Sequence, residues 1–275
     1  MPPMDIQTFR SHAMATWWEI RIAGEAPDYA AQAAQAAFQV TARMESLLSR
    51  FVENSGISAI ATLPPGGQAK LSPDVCDCLV LSRQIEILTR GAFSLGATSA
   101  SQGRELPRWE IDAQTRMFTA IDGGCELDPG AVGKGFSLDR MAEELALWGV
   151  RSFLLVSGGS SVLAGDPPGD AKGWVVALSG AGHDMTLHRQ AMGASGFTEK
   201  GSHITDPRTG LPSNRYTRTW AVAPDAATAD ALSTAWMNMS PDEIAALCLG
   251  NPSLGAAILP PGRSLQMFGK MFCQY

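Results

Sequence analysis

The second half of the chain alternates short apolar runs with helical patterns, yet lacks the regular strand–helix–strand rhythm of a parallel sheet. "RSFLLVSGG" (151–159), "GWVVALSG" (173–180) and "TRTWAVAP" (217–224) read as strands. "KGFSLDRMAEELALWGV" (134–150), "ATADALSTAWMNM" (227–239) and "PDEIAALCLG" (241–250) read as helices, the last closed by Gly250. "GAAILP" (255–260) and "LQMFGKMF" (265–272) read as late strands. Such a mixture predicts an α+β fold on a mixed or antiparallel sheet with flanking helices, and argues against a Rossmann fold.

The first half fits the same class. Pro27 to Phe51 is alanine-rich, with apolar residues near helical spacing, and Pro27 suits a first helical turn, where a missing N–H costs nothing. Ser72 before Pro73 reads as an N-cap followed by an N1 proline, opening a second helix that runs to Gly91. A polar, turn-rich stretch is expected from there to about Gly124. No repeat, low-complexity segment or clear linker divides the chain, so a single domain over residues 1–275 is expected.

Composition narrows the partners. A formal net charge of −6 argues against nucleic acid, whose phosphates are met by basic patches. An acidic protein that binds an anion needs backbone donors or a metal to do so. No run approaches the length of a membrane span, and the first residues lack the basic start and apolar run of a signal peptide. A cytoplasmic protein is therefore expected, or a periplasmic one if an export signal has been removed. Five cysteines, at 76, 78, 125, 248 and 273, lack zinc spacing and read as reduced and mostly buried.

Four segments carry candidate chemistry. "DPGAVGKGFSLD" (128–139) is a glycine-rich turn entering a helix, where amides at Gly130, Gly133 and Gly135 and the Lys134 ammonium could meet a phosphate. It matches neither a Walker A motif nor GxGxxG, and a tight loop with a solvated lysine reads equally well. Gly158 and Gly159 end an apolar strand, either to let a ligand pack on bare backbone or simply to turn the chain. Asp230 and Thr234 lie four apart on one helix face, hard oxygen donors suited to Mg²⁺, or else a solvated face. "GSHITDPRTGLP" (201–212) is a shaped loop holding His203, whose ordinary pKa suits it to take a proton at neutral pH, and Asp206, which could cap a turn.

In order and spacing, these segments resemble the ApbE family of FAD:protein FMN transferases. The family patterns are D-x-G-G-x-x-K-G, a strand ending in G-G, H-I-x-D-P-x-T-G and A-D-A-x-x-T, and the likeness runs from about Met14 to Trp236. It implies a cleft for FAD with Mg²⁺ beside the pyrophosphate, and transfer of FMN to a threonine or serine hydroxyl of an acceptor flavoprotein with release of AMP. Hydrolysis of FAD to FMN and AMP, or binding of a nucleotide without turnover, are the alternatives. The resemblance assigns Asp230, Thr234 and the Gly133 carbonyl to the metal. His203 becomes the base, with Asp206 shaping its loop, and Gly130, Gly133, Lys134, Gly135, Gly158 and Gly159 line the nucleotide site. Departures from the family patterns are Ala61 for Asn, "GAFSLG" for G-A-F-D-P-T, Ala131 for Gly, Gly133 for Ala and Ser160 for an acidic residue.

Overall fold

The structure, a computed structural model, describes residues 5–196 and 204–269. A hairpin, β1 (Ile6–Ala13) and β2 (Thr16–Ala23), leads into α1 (Pro27–Leu48) and the short α2 (Gly56–Ala61). Then come β3 (Gly67–Lys70), α3 (Pro73–Leu88), α4 (Ala97–Ser101), β4 (Trp109–Asp112) and β5 (Met117–Ala120). A 3-10 turn at Pro129–Ala131 enters α5 (Gly133–Leu147), followed by β6 (Phe153–Ser157), β7 (Ser161–Ala164), β8 (Trp174–Leu178), β9 (His183–Leu187), β10 (Gln190–Gly196) and β11 (Arg218–Ala223). The chain closes with α6 (Ala226–Asn238), α7 (Pro241–Gly250), β12 (Gly255–Leu259) and β13 (Gln266–Phe268).

Eight strands form one sheet in the order β1-β2-β6-β7-β10-β11-β12-β13, every neighbouring pair antiparallel. Strands β3, β5 and β4 make a small sheet, and β8–β9 a separate hairpin. The α+β expectation holds, with the antiparallel form of the sheet. Strand alternation divides the core. On β11, Thr219, Ala221 and Ala223 face the helices, while Trp220 and Val222 face the β8–β9 hairpin and join Trp174, Leu178, Met185 and Leu187 in a second apolar cluster. Each apolar side chain fully buried in such a cluster contributes on the order of 1.5–3 kcal/mol.

Helix starts follow their local chemistry. Pro27 sits in the first turn of α1, and Ser72 caps α3 by accepting from Val75 N. Ser240 and Glu243 form a reciprocal capping box on α7. Helices α1 and α3 are shorter than the sequence predicts, because Ser49 breaks into extended backbone and Arg90 and Gly91 turn left-handed. The stretch to Gly124, expected to be turns, contains α4, β4 and β5. Its strands are four residues each, too short for an alternation to show. Cys76, Cys78, Cys125 and Cys248 are free and buried, with burial pushing the Cys78 thiol up to about 12; Cys273 lies outside the described residues.

Candidate active site

Helix α6 is the centre of the molecule. Of its 13 residues only Thr234 escapes full burial. Two glycines let it sit there. A Cβ on Gly135 of α5 would stand 2.1 Å from the Ala226 carbonyl oxygen, and one on Gly193 of β10 would stand 2.3 Å from that of Ala229. Neither backbone could yield to a methyl group.

The same helix carries a polar stripe at four-residue spacing, Asp230, Thr234 and Asn238, all lining a cleft of about 570 Å³. Its other walls come from the 92–98 turn, the 128–134 segment, the Gly158–Gly159 turn, the end of β10 and the Ile204–Pro207 loop. Gly158 and Gly159 both have positive φ, so they form the left-handed turn joining β6 to β7 and leave bare backbone at the cleft edge.

Asp230 is buried and held on two sides: Ser161 Oγ donates to Oδ1 at 2.6 Å and Gly135 N donates to Oδ2 at 2.9 Å. Lys134 Nζ stands 3.8 Å from Oδ2. So the amide at the start of α5, where a phosphate was expected, is taken by a protein carboxylate. The arrangement is reciprocal, since Asp139 of α5 accepts from Ala226 N and Ala227 N at the start of α6. Burial, the largest influence, pushes Asp139 up to about 7 despite those two donors.

Thr234 Oγ1 lies 3.0 Å from Ser195 Oγ, which also meets Ser233 Oγ at 2.8 Å. The Gly133 carbonyl, in the first turn of α5, accepts from Ser137 Oγ at 2.7 Å. Gly130 and Lys134 line the cleft; Gly133 and Gly135 lie behind that wall, where Gly135 sets helix packing. Among the described residues no group of three or more His, Cys, Asp and Glu could hold a metal. One carboxylate, hydroxyls and a carbonyl suit a hard cation that keeps its waters, and do not suit zinc.

The Asp206 loop closes the C-terminal end of α6. Asp206 accepts from Arg208 N, Nε and Nη2, and Arg208 Nη2 reaches on to the Asn238 carbonyl at 2.6 Å. Tyr216 Oη donates to the Met239 carbonyl. Gly210, left-handed, packs where a Cβ would meet the Ala100 carbonyl at 2.7 Å. Thr205 and Pro207 face the cleft; His203 lies outside the described residues.

Two cleft residues are absent from the sequence reading. Asn238 donates through Nδ2 to the Ala92 and Thr205 carbonyls, tying two walls together, while its buried Oδ1 has no partner among the described residues. Extending the Asp230–Thr234 spacing by one more turn reaches it. Arg218, at the foot of β11, is the other; a charge beginning an otherwise apolar strand was its signal.

Fold and site together define an α+β protein with a cleft built around a buried helix. The chain belongs to the ApbE family, whose model matches residues 14–258. Its fold is similar to the flavinyl transferase ApbE of Pseudomonas stutzeri, at 20% identity and TM-score 0.84, covering 100% of this chain and 98% of that one. It is also similar to the flavin transferase ApbE of Vibrio cholerae (16%, 99% of this chain and 100% of that one, TM-score 0.85). The ApbE protein of Thermotoga maritima is a third (20%, 98% and 99%, TM-score 0.83). No curated protein matches the chain.

Proposed function

We propose that the protein, working as one unit over its whole length, transfers the FMN moiety of FAD to a threonine or serine hydroxyl of an acceptor flavoprotein and releases AMP. The observation that carries this reading is the Asp230–Thr234 pair on the cleft wall, in a chain of the ApbE family. The similar structures from Pseudomonas stutzeri and Vibrio cholerae are described as flavin transferases, which supports the same reaction class.

Asp230, Thr234 and the Gly133 carbonyl are the residues that would hold Mg²⁺, with substrate phosphate and water completing its shell. Bound there, Mg²⁺ would stabilise charge on the diphosphate. Lys134 adds a cation beside Asp230, and Gly130, Gly158 and Gly159 offer approachable backbone. Gly135 serves from behind, its bare Cα letting α5 pack against the start of α6. His203 takes the acceptor hydroxyl's proton, and Asp206 holds the loop that carries it. The hydroxyl oxygen attacks the FMN phosphorus; the bond from that phosphorus to the bridging oxygen breaks, and AMP leaves with that oxygen.

A second reading, binding without turnover, is favoured by Ala61 and Ser160, which stand where the family patterns carry Asn and an acidic residue. Ser160 lines the cleft, and Ala61 lines a smaller cavity that shares Thr98 and Asp128 with it. One assay separates the readings. With FAD, Mg²⁺ and a peptide bearing [ST]-G-A-T, transfer gives a flavin–peptide adduct and AMP, and Asp230→Asn lowers both by about a hundredfold or more. AMP without adduct means hydrolysis. FAD binding with no AMP over hours means a binding protein.

A further inference from the structure

We propose that Arg218 is an anion-binding residue of the cleft, shaped to receive a phosphate of the dinucleotide; this rests on the flavin-nucleotide reading above. Strand alternation puts Arg218 on the Trp220 face of the sheet, turned away from α6. Arg218 is nevertheless one of the residues lining the cleft, and its Nη1 stands 3.9 Å from where a Cβ on Gly180, in the turn between β8 and β9, would lie. The residue directly opposite on β10 is Gly196, and a Cβ there would stand 3.1 Å from Arg218 Cγ. The bare position leaves room for the arginine's stem beside the end of β10.

Among the described residues, the other basic groups at or beside the cleft have carboxylate partners. Lys134 lies beside Asp230, Arg50 pairs with Asp128 at 3.0 Å, and Arg208 pairs with Asp206 at 2.8 Å. Arg218 makes no ion pair and no hydrogen bond among the described residues. Its recorded partner is the Trp220 ring, 5.7 Å from the guanidinium carbon, a contact that leaves the N–H edge open. Burial lowers its pKa, and no carboxylate among the described residues opposes the shift. A half-buried cation without a counter-charge is costly, and a bound anion removes that cost.

The neighbours favour phosphate. Arg218 shares its wall with Ser195 and Gly196, and Ser195 touches Thr234. The cleft also carries the carboxylates of Asp128 and Asp230, which repel a diphosphate unless cations balance them. The guanidinium fork matches phosphate oxygens in geometry as well as charge.

The test is ligand binding to the whole protein without Mg²⁺ across a salt series, read by flavin fluorescence for FAD and riboflavin and by titration calorimetry for inorganic pyrophosphate. Arg218→Ala is expected to weaken FAD and pyrophosphate by about tenfold or more and to flatten the salt dependence, while riboflavin binding stays unchanged. Arg218→Lys should recover part of the loss, and Arg218→Met, which keeps the chain packed on Trp220, should not. The proposal is overturned if Arg218→Ala binds FAD like the wild type, if it loses riboflavin and FAD equally, or if only the affinity for an acceptor peptide changes. If the wild type binds pyrophosphate but not FAD, the flavin reading falls and the arginine site stands. If it binds neither, both fall.

Discussion

Gly135 and Gly193 set how deeply α6 can be buried, and with it where the cleft chemistry sits. Alanine is favoured over glycine inside a helix by about 0.5–1 kcal/mol, so Gly135→Ala on a surface helix would stabilise. Here the new methyl would stand 2.1 Å from a main-chain oxygen, and such overpacking costs about 1–3 kcal/mol or more. The steric cost wins, and a lower urea midpoint for Gly135→Ala is the expected result. Asn238→Ala should also destabilise, by about 1–3 kcal/mol, because the Ala92 carbonyl loses a buried donor; an unchanged midpoint would show that water replaces the amide. The spacing of Asp230 and Thr234 puts them on one helix face, which fits a solvated face as well as a site, and their assignment comes from the family resemblance; Asn238, one further turn along, matches no motif. The packing role of Gly135 was illegible, since the carbonyl it must clear is ninety-one positions away in sequence.

Helices α5 and α6 each place a carboxylate on the other's first turn, and the Asp139 contact responds to pH. The Asp139 carboxyl is pushed up to about 7 in the folded protein, from an ordinary value near 3.8. Between those values the folded state keeps a proton that the unfolded chain has released, so this group's stabilising contribution falls as pH rises from about 4 to about 7. Asp139→Asn removes that slope: thermal melts from pH 4 to 8 should show the variant gaining on the wild type as pH rises. At the other end of α6, Arg208→Ala removes the guanidinium donor from the Asn238 carbonyl and leaves the Asp206 carboxylate with the residue-208 amide alone, and a loss of about 1–2 kcal/mol is expected in the same melts. Helices α1, α3, α5, α6 and α7 could be read from prolines, caps and apolar spacing. Strand β1 could not: Ile6 is exposed while Gln7 is half-buried, which inverts the usual alternation. Strand β10, "QAMGASG", has no β-branched residue at all, because small side chains are what let α6 approach it.

At the scale of the molecule, the fold stands at TM-scores of 0.83 to 0.85 to structures only 15–20% identical in sequence. What was legible is therefore largely the motif-bearing half, where short patterns fix turns and caps. The supporting layers, the β1–β2 hairpin and the small β3-β5-β4 sheet, rest on generic apolar burial that many sequences satisfy.

The burial of α6 has a kinetic consequence. Many enzymes carry their reactive groups on loops that open locally at little cost, so the site can dissolve while the rest of the chain stays folded. Here the carboxylate and hydroxyl ride on a helix whose amides solvent can reach only when the sheet and α5 come away together. In deuterium exchange, the amides of residues 229–238 should therefore be among the slowest in the chain, opening with the free energy of global unfolding. The Gly158–Gly159 turn should exchange early. Under rising denaturant, loss of the cleft should coincide with loss of the whole structure, leaving no state that is folded but lacks its site.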